Sequence, residues 1–125
     1  MLAPQVTQLL ERAVNTSCKL AIVLTFLDHS SLNATSSEIA ARVCRDIWSV
    51  EAALNELAED GILTLRDKRY SCATCAERRA ELSELRRTYE HPLLRDEVQA
   101  LLRDLECYAP YRKDLAFFQS RSRVV

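Results

Sequence analysis

Glycine is almost absent from this chain. Among 125 residues there is one, Gly61, and there are only three prolines. A single glycine excludes the glycine-rich loops that cradle phosphates, which need several glycines at fixed offsets. So few breakers leave the backbone able to run in long helices. Histidine is scarce too: His29 and His91 stand alone, with no His-x-x-x-His pair and no nucleophile–base arrangement around them. The expectation is a chain that is not an enzyme and that carries no cofactor and no metal. The five cysteines are odd in number and irregular in spacing. That is not the framework of a disulfide-stapled secreted domain, and it places the chain in a reducing cytoplasm. No apolar run approaches the roughly 18 residues of a membrane span. The segment CKLAIVLTFL at 18–27 is short, internal and bounded by charge, unlike a signal peptide.

No charge of one sign dominates. The net charge is −1 and the pI about 6.1, which argues against nonspecific nucleic-acid binding over the whole surface. The distribution is uneven, however. Residues 36–60 hold Arg42 and Arg45 against six acidic residues, and residues 61–87 hold seven basic residues against four acidic ones. Hydrophobic residues make up 48% and charged residues 28%, the composition of one folded domain with a modest core.

Helical spacing then sets the organisation. Val6, Leu9, Leu10 and Val14 predict a helix over about 4–14, and Asn15-Thr16-Ser17 offers a break and a new cap. Leu20, Val23, Leu24 and Leu27 predict a second helix over 17–28, followed by a loop, HSSLNA, at 29–34. Thr35-Ser36-Ser37-Glu38 is a capping-box pattern. It opens a short helix with Ile39, Ala40 and Val43 inward, which stops near Cys44-Arg45. Asp46 caps the next helix, where Val50, Leu54 and Leu57 share one face, and Gly61 sits where a left-handed residue would end it. Beyond Gly61 the period changes. ILTLR, the charged turn RDKR and RYSCA predict a small β-hairpin. Thr74-Cys75-Ala76-Glu77 is a second capping box, opening a helix with Leu82, Leu85 and Tyr89 on one face. Pro92 breaks it and starts a last helix. There Leu94, Val98, Leu101, Leu105 and Tyr108 recur at intervals of four and three. Residues 109–125 are expected to be a partly disordered tail.

The stretch TSSEIAARVCRDIWSVEAALNELAEDGIL at 35–63, followed by LTLRDKRYS, resembles the winged helix-turn-helix family of transcriptional regulators. SSEIAARV matches the first helix of the motif, DIWSVEAALNELAEDGIL the second, and LTLRDKRYS the wing. The resemblance covers about residues 17–72. It implies a mainly α fold with a small β-hairpin, a winged helix-turn-helix core flanked by N- and C-terminal dimerisation helices, in one domain over 1–108. It further implies a transcriptional regulator that binds double-stranded DNA at a palindromic site as a homodimer. The second motif helix would lie in the major groove. It would present Trp48, Ser49, Ala52 and Asn55 there, with Arg45 just before it, while Arg66, Lys68 and Arg69 meet phosphates.

The residues themselves leave alternatives. Residues 46–60 contain no Lys or Arg but hold Asp46, Glu51, Glu56, Glu59 and Asp60, and carboxylates facing DNA are repelled. The same charge suits a winged helix that binds protein instead. The Leu94–Tyr108 stripe is either monomer core or dimer seam. The dimer reading takes Val6, Leu10, Leu94, Val98, Leu101, Leu105 and Tyr108 as the interface. Cys72-Ala-Thr-Cys75 is a lone C-x-x-C. It is too few ligands for zinc and open to a redox role, since Cys75 would start a helix with Arg78 and Arg79 following. The other reading of the pair is two inert thiols at a strand end.

Overall fold

The computed structural model describes residues 2–29, 31–72 and 76–107. Among them are six helices and one three-stranded sheet: α1 (Pro4–Arg12), α2 (Ser17–Asp28), β1 (Asn33–Ala34), α3 (Ser36–Val43), α4 (Ile47–Glu59), β2 (Leu63–Arg66), β3 (Arg69–Cys72), α5 (Ala76–Glu90) and α6 (Pro92–Cys107). The chain is therefore mainly helical with a small antiparallel sheet. No helix among the described residues is long and apolar enough to cross a membrane. The second capping box, Cys75, Tyr108 and the expected tail at 109–125 lie outside the described residues.

Short polar side chains start three of the helices. Thr16 accepts from the Lys19 amide at 3.1 Å. Thr35 accepts from the Glu38 amide at 3.4 Å. Asp46 accepts from the Ser49 amide at 2.8 Å. Each satisfies an amide that the first turn leaves without a partner. The return half of the Thr35 box differs from expectation, because the Glu38 carboxylate takes the Thr35 hydroxyl at 3.3 Å. The ends are equally local. Cys44 closes α3 in the left-handed region at φ 56. Gly61 follows α4 at φ 76. There the Ile62 amide donates to the Leu57 carbonyl at 2.9 Å and the Gly61 amide to Ala58 at 3.1 Å. This pair of bonds is the Schellman stop, and Leu57 and Ile62 are both fully buried beneath it.

Two features depart from the sequence reading. The segment expected as a loop at 29–34 contributes β1, which pairs with β3 through Asn33–Ser71 and Ala34–Tyr70, so the hairpin becomes a sheet of order β1-β3-β2. Two residues are too few to show strand alternation, and their partner is distant in sequence. The hairpin turn is Asp67-Lys68, with φ 52 and 63. Positive φ at both central residues is the type I′ geometry that Asn-Gly usually fills.

α2 occupies the middle. It packs on α3, α4, α5, α6 and β3, with Leu20, Ile22, Val23 and Phe26 buried. Ile22 and Phe26 lie off the face expected from spacing, because this helix is covered on several sides. α1 lies on α5, and α6 on α5 and α2. These contacts correct the expected dimer seam. Val6, Leu10, Val98 and Leu105 are buried within the single chain, and Leu94 and Leu101 are half-buried. Leu102, outside the expected stripe, is buried with them.

Gly61→Ala meets no crowding, since the nearest atom to an added Cβ is Arg78 Nε at 4.0 Å. Its cost is therefore conformational, about 1 kcal/mol. A lowered urea midpoint with an unchanged m-value would show it.

Candidate functional site

The residues singled out for DNA reading fall on α4 and the hairpin, which lie side by side. The Tyr70 hydroxyl on β3 donates to Asn55 Oδ1 on α4 at 2.9 Å and ties the two together. Tyr70 is itself buried, and that burial, with the Glu51 charge, pushes its hydroxyl pKa up. Above this bond, the outer side of α4 carries Trp48, Ser49, Glu51, Ala52, Asn55, Glu56 and Glu59, all exposed. Trp48 is 77% exposed.

Several of these groups are already occupied. Asn55 uses its carbonyl oxygen on Tyr70, the atom with which it would accept from adenine. Arg69 donates to the Asn33 carbonyl at 2.8 Å and stands 3.7 Å from Glu38, so it locks β1 to the sheet. Arg45 leans back toward Ser17 on α2, with its Nη2 3.5 Å from the hydroxyl. Glu56 pairs with Lys19 Nζ at 3.0 Å. Lys19 is 4% exposed and also donates to Asn15 Oδ1 at 3.0 Å. A buried ammonium needs both partners, and here they pin α2 to α4. Glu51 accepts from Ser36 at 3.3 Å. Ser49 serves the Asp46 cap through its amide, and that bond, followed by the Ser49 hydroxyl, holds the Asp46 carboxyl below its ordinary pKa.

The remaining groups make a surface of mixed charge. Glu51, Glu59 and Asp60 form no ion pair among the described residues. Nor do Arg66, Asp67 and Lys68 at the hairpin end, whose charges are therefore of both signs. Leu65, beside them, is 49% exposed. Cys72 is half-buried at the end of β3, and Cys75, the other half of the expected pair, lies outside the described residues.

Sequence spacing gave no sign of the cleft between α2, α5 and α6. It measures about 470 Å³, with Leu20, Leu24 and Leu102 on its floor and Tyr89, Arg103 and Glu106 at its rim. Glu106 reaches from α6 to the start of α2, accepting from the Ser17 amide at 2.6 Å and the Ser17 hydroxyl at 3.0 Å. Nearby, burial raises the pKa of the half-buried Cys18 thiol, with Arg45 opposing it.

No family model matches the chain, and no curated protein matches it. Among solved structures it is similar to one described as "PigF with SAH", at 30% identity and TM-score 0.43, over 65% of this chain and 24% of that one. The chain thus spans about a quarter of the length of PigF. That protein was solved with SAH, so the comparisons lend no support to two expectations, a DNA-binding transcriptional regulator and a chain that is not an enzyme, and both are set aside. The geometry supplies a physical reason for the first correction. Asn55 and Arg69 are engaged inside the fold, and the helix expected in the groove presents carboxylates.

Asn55→Ala should cost about 1 kcal/mol by leaving the Tyr70 hydroxyl without its acceptor, while Tyr70→Phe together with Asn55→Ala should add little beyond either change alone. A double-mutant cycle in urea checks this. Asp46 gives a pH signature. Its folded pKa is depressed, so its contribution is present above the unfolded carboxyl value near ~3.9 and is lost as pH falls through the lower folded value. Asp46→Ala should therefore lower Tm at neutral pH, with the gap to the parent closing as pH drops below that range. Asp46→Asn, which can still cap, should show a smaller gap at neutral pH.

Proposed function

We propose that the chain is the assembly module of an S-adenosyl-dependent methyl-transfer enzyme, built on a winged-helix type of core and working in the cytoplasm. The observation that carries this reading is the exposed side of α4 and the neighbouring hairpin, on which Trp48 stands 77% exposed among charges of both signs. An aromatic side chain left in water beside charges of both signs is the composition of a contact surface. The chemistry is named by PigF, which was solved with SAH, the product left when S-adenosylmethionine gives up its methyl group.

The division of labour follows from this chain's own resources. Its sheet is antiparallel, and its one glycine closes α4. An adenosyl pocket at the carboxyl ends of parallel strands, with a glycine-rich turn, belongs in this reading to a separate catalytic body. The present chain contributes the surface on which that body is assembled.

The test is recovery of the tagged chain from its own cells at low salt, followed by assay of the recovered material for conversion of S-adenosylmethionine to SAH. Methyl-transfer activity should accompany the chain and fall at least several-fold with Trp48→Ala. A chain that returns without such activity overturns the reading.

A further inference from the structure

The cleft between α2, α5 and α6, about 470 Å³, adjoins a second hollow of about 350 Å³. The two share Leu24, Tyr89 and Gln99 and form one trough along α2. Ser17 stands at one end and Asp28 at the other, about 16 Å apart at the helical rise. α6 is the facing wall: Glu106 meets Ser17, and Arg95 stands at the Asp28 end. The floor is aliphatic, made by Leu20, Ala21, Leu24 and Leu102. Tyr89 is the single ring that lines the trough among the described residues. Its face is covered by the Arg95 guanidinium, 5.3 Å from the ring centre, and its hydroxyl accepts from Gln99 at 3.0 Å. Such a floor suits a methylene chain better than a stacked aromatic ring.

The two ends differ in charge. At the Asp28 end, Arg86 lies between Asp28 at 3.0 Å and Glu90 at 3.4 Å, and Arg95 donates to the Tyr89 carbonyl at 2.8 Å. Two cations there meet two carboxylates. At the Ser17 end, Arg45 and Arg103 face one carboxylate, Glu106. Glu106 is already held by the Ser17 amide and hydroxyl. Asp46, next to Arg45 in the chain, is committed to the Ser49 amide, and Asp104, next to Arg103, does not line the trough. Arg103 forms no ion pair among the described residues, and Arg45 has only its 3.5 Å contact with the Ser17 hydroxyl.

We infer that this trough binds a medium-chain aliphatic carboxylate, with its head between Arg45 and Arg103 and its chain laid on Leu20, Leu24 and Leu102. A concave apolar floor with a few convergent polar groups is the usual form of a small-molecule site. The carboxylate supplies the acceptor that both guanidiniums lack, through charge-assisted hydrogen bonds. Each methylene taken out of water onto the leucines should raise affinity about fourfold. That gain ends where the chain meets the paired charges around Arg86. A trough of about 16 Å holds a chain of roughly ten carbons with its head group. Such a site is independent of methyl transfer.

The test titrates the full chain with hexanoate, octanoate and decanoate, each below its micellar concentration. Calorimetry gives the affinity and amide NMR shifts give the place. Decyltrimethylammonium, with the same chain and the opposite charge, is the control. Affinity should climb from hexanoate to decanoate, with shifts centred on Leu20, Leu24, Gln99 and Leu102, and the ammonium should bind more weakly. Arg103→Glu should weaken decanoate by roughly tenfold or more and turn the preference toward the ammonium. A misfolded variant could not give that reversal. The inference is overturned by a parent that binds no decanoate, by shifts that fall elsewhere, or by equal affinity for the two ions, which marks an adventitious apolar surface. Binding that appears only after Phe117→Ala with Phe118→Ala also overturns it, because the occupant is then the chain's own apolar stretch at 115–118.

Discussion

α2 must be covered on every side, and the rest of the structure is arranged to do so. Its apolar residues run through SCKLAIVLTFLD with too few polar positions to leave one face in water. A helix of that kind is stable only inside a protein. α3 and α4 close one flank, α5 and α6 another, and β3 reaches the remainder. Fully burying side chains such as Ile22 and Phe26 stabilises the fold by roughly 1.5–3 kcal/mol each. The outer helices α1, α5 and α6 are therefore parts of the core. Their apolar stripes look like interface in sequence because they are covered within the chain, α5 and α6 on α2 and α1 on α5.

The one charge within this centre decides how α4 sits. Lys19 lies on the flank of α2 and is nearly inaccessible, held by Asn15 and Glu56. Glu56 is consumed in that contact, so one carboxylate of the acidic helix belongs to the fold and not to the surface. Asp46 is likewise committed to the helix start. Glu51, Glu59 and Asp60 remain, along a helix that also exposes Trp48 at its start, next to a hairpin end that carries Arg66, Asp67 and Lys68. What the core leaves available on this side of the molecule is a surface of mixed charge.

Capping and stop signals were legible because they act within one turn. Thr16, Thr35 and Asp46 each satisfy an amide three residues on, and Gly61 supplies a backbone angle that other residues resist. Such effects depend on neighbours in sequence, so sequence suffices. β1 was not legible, since Asn33 and Ala34 become a strand only when β3 arrives beside them. The direction of α2 was equally obscure. A helix apolar around its circumference has no preferred face until its neighbours choose one. Ile22 and Phe26 are buried for that reason.

The amino-acid order by itself determined where helices begin and end, which segment turns as a hairpin, and that acid and base are concentrated in adjacent segments. Those are consequences of hydrogen bonding and periodicity within a few residues. Only the tertiary structure decided which polar groups remain available. Asn55 is taken by Tyr70, Arg69 by Asn33 and Glu38, and Glu56 by Lys19, each through a contact between separate elements. A side chain's chemistry is set by its type, but its availability is set by whatever the folded chain places against it.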